Sequence, residues 1–265
     1  MQKIRQNITI SILQLVSRLI TCKFATKIAL LCFIPTTSAD EIRIAVAANF
    51  TNTMEIIVTR FEQQTGHHVI VSSGSTGKHY AQIVNGAPFD AFFAADVERP
   101  QLLENKDLIV AGSRFTYAIG RLVLWSPREN HVDINGEALA NDNYQHLAIA
   151  NPKLAPYGKA AQQVLENKGL WQPLQTRLVR GENIGQTFHF VMSGNAQLGF
   201  VALSQIKQLK EKTAGSYWLI DPSLYDKIEQ QVVSLKDTPA IRAFMHYVRS
   251  DEARAIIQQS GYDMP

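Results

Sequence analysis

The stretch from residue 71 to 78, Val-Ser-Ser-Gly-Ser-Thr-Gly-Lys, has the residue types and spacing that most directly imply chemistry. A β-branched run, His68-Val69-Ile70-Val71, enters it. Tyr80, Ile83 and Val84 leave it at helical spacing. The pattern predicts a strand, a turn of small hydroxylated residues and then a helix. Amide N–H groups at a helix start have no carbonyl one turn earlier to pair with, and the helix dipole adds about half a positive charge there. Ser75 and Thr76 add hydroxyl donors. Such a turn holds an oxyanion without a cationic side chain, so Lys78 is read as a solvated neighbour.

Other chemistries fail on spacing. His79 follows Lys78, so the Gly-Lys-Ser/Thr ending of a phosphate-binding P-loop is missing. Gly74-Ser75-Thr76-Gly77 does not fit the Gly-x-Ser-x-Gly elbow of a hydrolase, which leaves a secreted hydrolase as the remote alternative. His67 and His68 are adjacent in a predicted strand and point to opposite faces, against chelation of one ion.

Several elements must position that turn. Ile42 to Ala48 is an apolar run of strand length, suited to burial on both faces of a parallel sheet. Asn49 stands at a predicted N-cap, and Phe50, Met54, Ile57, Val58 and Phe61 follow at helical spacing as far as Thr65-Gly66. Strand and helix then alternate: strand 67–73, helix 76–85, strand 89–95, helix 97–105. Tyr117 to Trp125 reads as one long strand through Gly120 that carries the chain between lobes. The scheme repeats with a strand at 146–150, a helix from Lys159, a strand near 176–179, a helix through Met192 and a strand at 198–203. A Lys-rich helix, a strand at 228–235 and two closing helices complete it. Each half has two strand-to-helix turns, at Asn49 and Ser75/Thr76, then at Tyr157 and Ile184. In open α/β sheets ligands sit beyond the carboxyl ends of strands. The expected fold is therefore α/β, two similar three-layer lobes facing across a cleft. Lobe 1 is expected at 40–117 plus 228–265, and lobe 2 at 118–227.

The first 39 of the 265 residues differ in kind. They hold five cations and no Asp or Glu, a short apolar core at Ile28–Ile34, and Thr37 and Ala39 at small-residue positions. This reads as a secretory signal peptide cut after Ala39, with too short a core to span a bilayer. Without those five cations Lys+Arg falls from 26 to 21 against 23 Asp+Glu, and net charge goes from +3 to −2. The basic balance belongs to the leader, and nothing beyond it suggests nucleic acid. Cys22 and Cys32 also lie in the leader, so the mature chain has no disulfide, thiolate metal site or cysteine nucleophile.

From about Glu41 to the C-terminus the chain resembles the periplasmic molybdate-binding proteins of ABC importers. The resemblance rests on Ala47-Ala-Asn-Phe50, Ser72 to Lys78, Tyr80 to Pro88, Gly112 to Trp125, Ala150 to Gly158 and Leu198 to Leu203, in that order and spacing. It implies a periplasmic binding-protein fold of type II, with a tetrahedral oxyanion held between the lobes. Asn49 occupies a ligand position of the first turn, and Thr76 replaces a Ser of the second. Tyr157 and Ile184 match positions that donate backbone N–H groups. Ala48 stands where one branch has a hydroxyl residue, and Ala202 where another has a Tyr. The resemblance implies molybdate and tungstate as ligands, the membrane subunits of an importer as partners, no cofactor, no direct metal ligand, no catalytic residue and a monomer.

These residue types suit molybdate, a dianion without a proton. Each hydrogen bond to a charged acceptor contributes about 1.5–3 kcal/mol. Roughly six or seven would support binding in the tens of nanomolar or tighter after ordering costs. Hydrogen phosphate would need an acceptor for its own O–H, at a penalty of roughly 1–3 kcal/mol if it is unmatched. No Asp or Glu occurs in the proposed turns; Asp90 and Asp96 are close in sequence but outside them. Another tetrahedral oxyanion such as sulfate, separated only by size, is the alternative ligand.

Overall fold

A computed structural model describes residues 40–141, 143–209 and 215–265. The expected leader and its cleavage point lie outside the described residues. Two five-stranded mixed sheets organise the chain. The first runs β2-β1-β3-β10-β4 and the second β7-β6-β8-β5-β9. Here β1 is Glu41–Ala47, β2 His68–Gly74, β3 Ala91–Phe93, β4 Phe115–Gly120 and β10 Ile228–Ser234. In the second sheet β5 is Leu122–Ser126, β6 Leu147–Ala150, β7 Leu178–Gly181, β8 Leu198–Ala202 and β9 Ser216–Leu219. In each sheet three strands pair in parallel; one strand, β10 or β5, runs against them and pairs on its far side with a last strand, β4 or β9, that runs with the first three.

Strand alternation sorts side chains to two helical layers. In the first sheet Ile42, Ile44 and Val46 face α1 (Thr51–Thr65), α6 (Pro239–Val248) and α7 (Asp251–Gln259). Ala45 and Phe92 face α2 (Thr76–Val84) and α3 (Glu98–Glu104) through Ile83 and Leu103. In the second, Leu122 and Leu124 pack with Tyr157, Ala161 and Val164 of α4 (Pro156–Asn167). Val123 and Trp125 pack instead with Val191 of α5 (Ile184–Met192), where Phe188 stacks on Trp125. Both lobes are thus three-layered, because period-two side chains between helices must be apolar on both faces.

Three details depart from the sequence expectation. The 117–125 stretch is two strands, since Gly120 pairs with Ile228 in one sheet while Leu122 pairs with Ala202 in the other. The chain therefore changes sheets at Arg121. Asn49 is not a helix cap: it lies in a 3-10 turn, Ala48–Phe50, and Phe50 precedes α1. β9 was not expected at all. The end of α1 is as expected, with Gly66 at φ 73 accepting the left-handed bend and its N–H closing on Glu62 O.

The described residues from Asp40 onward belong to one compact unit, and bonds bridge its two sheets. Gly77 N–H donates to Leu154 O at 2.9 Å. Lys78 Nζ pairs with Glu182 at 3.0 Å, and Ser204 Oγ donates to Asn49 O at 3.1 Å. Lys78, expected to be only solvated, is therefore a cross-cleft contact. The partner is 104 residues away and invisible to local pattern.

Candidate functional site

All five residues singled out from the sequence, Asn49, Ser75, Thr76, Tyr157 and Ile184, line one small cavity between the sheets. It is a tight cavity of about 10 Å³. A wider space of about 580 Å³ opens beside it and shares Ala48, Asn49 and Asn183, but reaches none of Ser75, Thr76, Tyr157 and Ile184. The donors therefore meet in the small cavity.

Each residue is placed by a strand end. β2 stops at Gly74, and Ser75 takes an extended conformation (φ −76°, ψ 144°) before α2 begins at Thr76. Ser75 does not use its hydroxyl to cap its own helix; Oγ is buried without a partner. Thr76 Oγ1 accepts from Ala95 N–H at 3.1 Å, which leaves its own O–H free to donate. In the second lobe Asn151 O accepts from Leu154 and Ala155 N–H, turning the chain into α4. Pro156 opens that helix with the right φ and no N–H, so Tyr157 offers the first helical amide. The Tyr157 ring points the other way, into the core. At α5, Asn183 caps the helix by accepting from Gln186 N–H at 2.9 Å, and Ile184 is its first residue.

Electrostatics comes from backbone and hydroxyls alone. No charged side chain lines the cavity. The first helical turns of α1, α2, α4 and α5 hold no acidic residue, but the turn before α5 does: Glu182, which the sequence reading left out, precedes the cap Asn183 and pairs with Lys78 at 3.0 Å rather than lining the cavity. Nearby carboxylates are engaged elsewhere: Asp90 with Lys236 and Arg43 N–H, and Asp96 with Arg99. Burial raises the Asp96 pKa, with Arg99 opposing it. A dianion there would meet partial positive charge without an intervening carboxylate.

Ala48 lines the cavity as well, but its methyl supplies no donor. Ala202 does not line it. Instead Gln205 accepts from Ala202 N–H at 3.0 Å and donates to Ile184 O at 3.2 Å, tying α5 to the end of β8. Sequence reasoning passed over Gln205 and Asn183. An Asn before Ile-Gly-Gln-Thr was readable as a cap; Gln205 has no comparable signal. His67 Nδ1 accepts from Asp40 N–H, while His68 Nδ1 lies 2.8 Å from Glu62, so the two do not converge. Among the described residues no group of three or more His, Cys, Asp or Glu is arranged to hold a metal ion.

His79 lies behind the turn, buried, with Nδ1 3.0 Å from Gln82 Oε1. Gly74 leaves it room: a Cβ there would come within 2.8 Å of Nε2. Burial, the largest cause, lowers its pKa below the ordinary 6.5. Below that value the unfolded chain takes a proton that the folded one refuses, so stability falls as pH drops from 6.5 toward the lowered pKa. His79→Gln should flatten this fall, as thermal melts at about pH 7.5 and about pH 5.5 would show. An unchanged pH dependence would assign the acid loss to other groups.

Comparison with known proteins adds the following. The family model for bacterial extracellular solute-binding proteins matches residues 42–263. The molybdate-binding protein ModA of Azotobacter vinelandii is 49% identical over 229 residues, 85% of this chain and 91% of that protein. The protein of the same name from Rhodobacter capsulatus is 42% identical, over 85% of this chain and 89% of its own. The solved periplasmic molybdate-binding protein of Azotobacter vinelandii superposes with TM-score 0.81 at 44% identity, covering 84% of this chain and 99% of that one.

Proposed function

This chain belongs to the bacterial extracellular solute-binding proteins, in the group of the molybdate-binding proteins, and from that premise we propose that it captures molybdate in the periplasm and delivers it to the membrane subunits of an ABC importer. Proteins of this group bind and hand over a solute; they are not enzymes, and molybdate is cargo rather than cofactor. Asn49, Ser75, Thr76, Tyr157 and Ile184 form the ligand set, the first three through side chains and the last two through backbone N–H groups. Tungstate, with the same charge and nearly the same size, binds alongside molybdate. The observation that carries this reading is the cavity itself, which has helix starts and buried hydroxyls around it and no charged side chain.

We place the lobes at 40–117 plus 228–265 and at 118–227, with the change of sheet at Arg121 supporting a boundary in that region. Calorimetric titration with molybdate, tungstate, sulfate and phosphate tests the function. Molybdate and tungstate should release heat with one-to-one stoichiometry, and phosphate should not. At 100 times the dissociation constant the ligand should stabilise the fold by about 2.7 kcal/mol. Equal binding of phosphate would overturn the donor-only reading, and tighter sulfate binding would make sulfate the cargo.

A further inference from the structure

Gln230 lies under the site, fully buried on β10, where the strand register shifts against β4 between Gln230 and Gln231. Its amide joins groups from both lobes. Oε1 accepts from Asn49 Nδ2 at 2.9 Å and from Tyr117 Oη at 3.1 Å, and Nε2 donates to Tyr157 Oη at 3.3 Å. Asn49 Nδ2 also donates to Tyr262 Oη at 3.1 Å. Both protons of the Asn49 amide are thereby turned away from a ligand, and Asn49 Oδ1 is left buried without a partner. In this register Asn49 has no side-chain N–H left to donate to a dianion.

The two ends of a primary amide have the same shape and differ only in donating or accepting. Reversing Asn49 and Gln230 together leaves every heavy atom in place and changes the accounting. Gln230 Nε2 would then donate to Asn49 Oδ1 and to Tyr117 Oη, whose own proton is free for Ala94 O, 3.2 Å away. Tyr157 Oη would donate to Gln230 Oε1. Tyr262 Oη, 3.1 Å from the same end of Asn49, would turn its one proton from Asn49 O to Asn49 Oδ1, and Ser204 Oγ would still donate to Asn49 O. The orphaned acceptor is then satisfied, and Asn49 Nδ2 becomes the free end. The reversals are coupled, because two carbonyl oxygens or two NH₂ groups face to face repel.

We propose that Gln230 is a positioning residue for the oxyanion site: by donating to Asn49 Oδ1 it holds the Asn49 amide with Nδ2 toward the ligand, and so selects an unprotonated dianion over an oxyanion that brings a proton. The inference rests on the reading of Asn49 as a ligand. It requires Gln230 to be a donor, which separates two substitutions of similar size. Gln230→Met neither donates nor accepts and leaves Asn49 free to turn; molybdate affinity should fall about tenfold. Gln230→Glu in its ionised form, reached by titrating above its raised pKa and verified by the ¹³C shift of the carboxyl, only accepts, locks Nδ2 inward, and should lower affinity about 100-fold or more.

The added charge of Glu would weaken binding too, so the deciding measurement is the Asn49 side-chain amide in ¹H–¹⁵N spectra, assigned by its loss in Asn49→Ser. In the natural chain saturating molybdate should shift both Asn49 NH₂ resonances, and in ionised Gln230→Glu at saturation it should not. A natural chain that binds molybdate with these resonances unmoved overturns the inference alone. Equal shifts in ionised Gln230→Glu overturn it as well. A natural chain that does not bind molybdate overturns the site reading and this inference with it. If Gln230→Glu does not fold, the natural-chain spectrum and Gln230→Met still decide: a shift with about tenfold weakening supports the proposal, and unchanged affinity in Gln230→Met overturns it.

Discussion

Ser75→Ala combined with Thr76→Val weakens molybdate binding by about two to four orders of magnitude, whereas Lys78→Met weakens it less than about fivefold. Calorimetry on the three proteins gives both figures. The first follows from two hydroxyl donors, each worth about 1.5–3 kcal/mol against a charged acceptor. Both residues are buried, and Ser75 Oγ has no other partner to compensate for its loss. Thr76→Val keeps the shape but also strands Ala95 N–H, so a modest drop in melting temperature accompanies the loss of affinity. The second figure follows from exposure. Lys78 and Glu182 are each about half exposed, and such pairs contribute about 0–1 kcal/mol. The reverse order would mean that charge, not the neutral donors, holds the ligand.

Gly120→Ala is the other change with a large expected effect. An added Cβ would fall 2.2 Å from Tyr157 Oη and 2.8 Å from Gln230 Nε2. One of these buried side chains must move, and Tyr157 opens the helix that supplies the second lobe's first donor. Overpacking of this kind costs about 1–3 kcal/mol, which in a chain of this size lowers the melting temperature by roughly 2–12 °C. Molybdate affinity should fall at least tenfold with it. Tyr157→Phe removes the clashing oxygen, so the double variant should regain most of the lost stability while each single change lowers it. Additive losses in the double variant would show that the clash is not the cause.

Much of this was legible because it is local. Ser75 and Thr76 follow a β-branched run and precede a helix, and that order is enough to bring their hydroxyls to a strand's carboxyl end. Pro156 before Tyr157 marks a helix start in the same way. The lobes followed from strand–helix alternation alone. What stayed hidden depends on distance in sequence. Asn49 and Gln230 are 181 residues apart, and no period or spacing connects a Gln in a late strand to an Asn in an early turn. The split of 117–125 into two strands was masked by continuous hydrophobicity, since both halves are buried and only their partners differ. β9 escaped because four residues at a sheet edge, with Tyr217 and Leu219 exposed and Trp218 buried, form too short an alternation to stand out.

The place of β10 has a consequence for how the chain is made. It lies between β3 and β4, yet its residues come more than a hundred positions after both. Until residue 234 has been synthesised, β4 has no neighbour in its own sheet and Phe93 lacks its partner Val232. The second sheet uses only strands between Leu122 and Leu219, so it is complete first. In a nascent chain β3 therefore has one open edge, and β4 no sheet partner, until β10 emerges, a delay set by topology. That suits the proposed export, in which the polypeptide is threaded across a membrane before it folds.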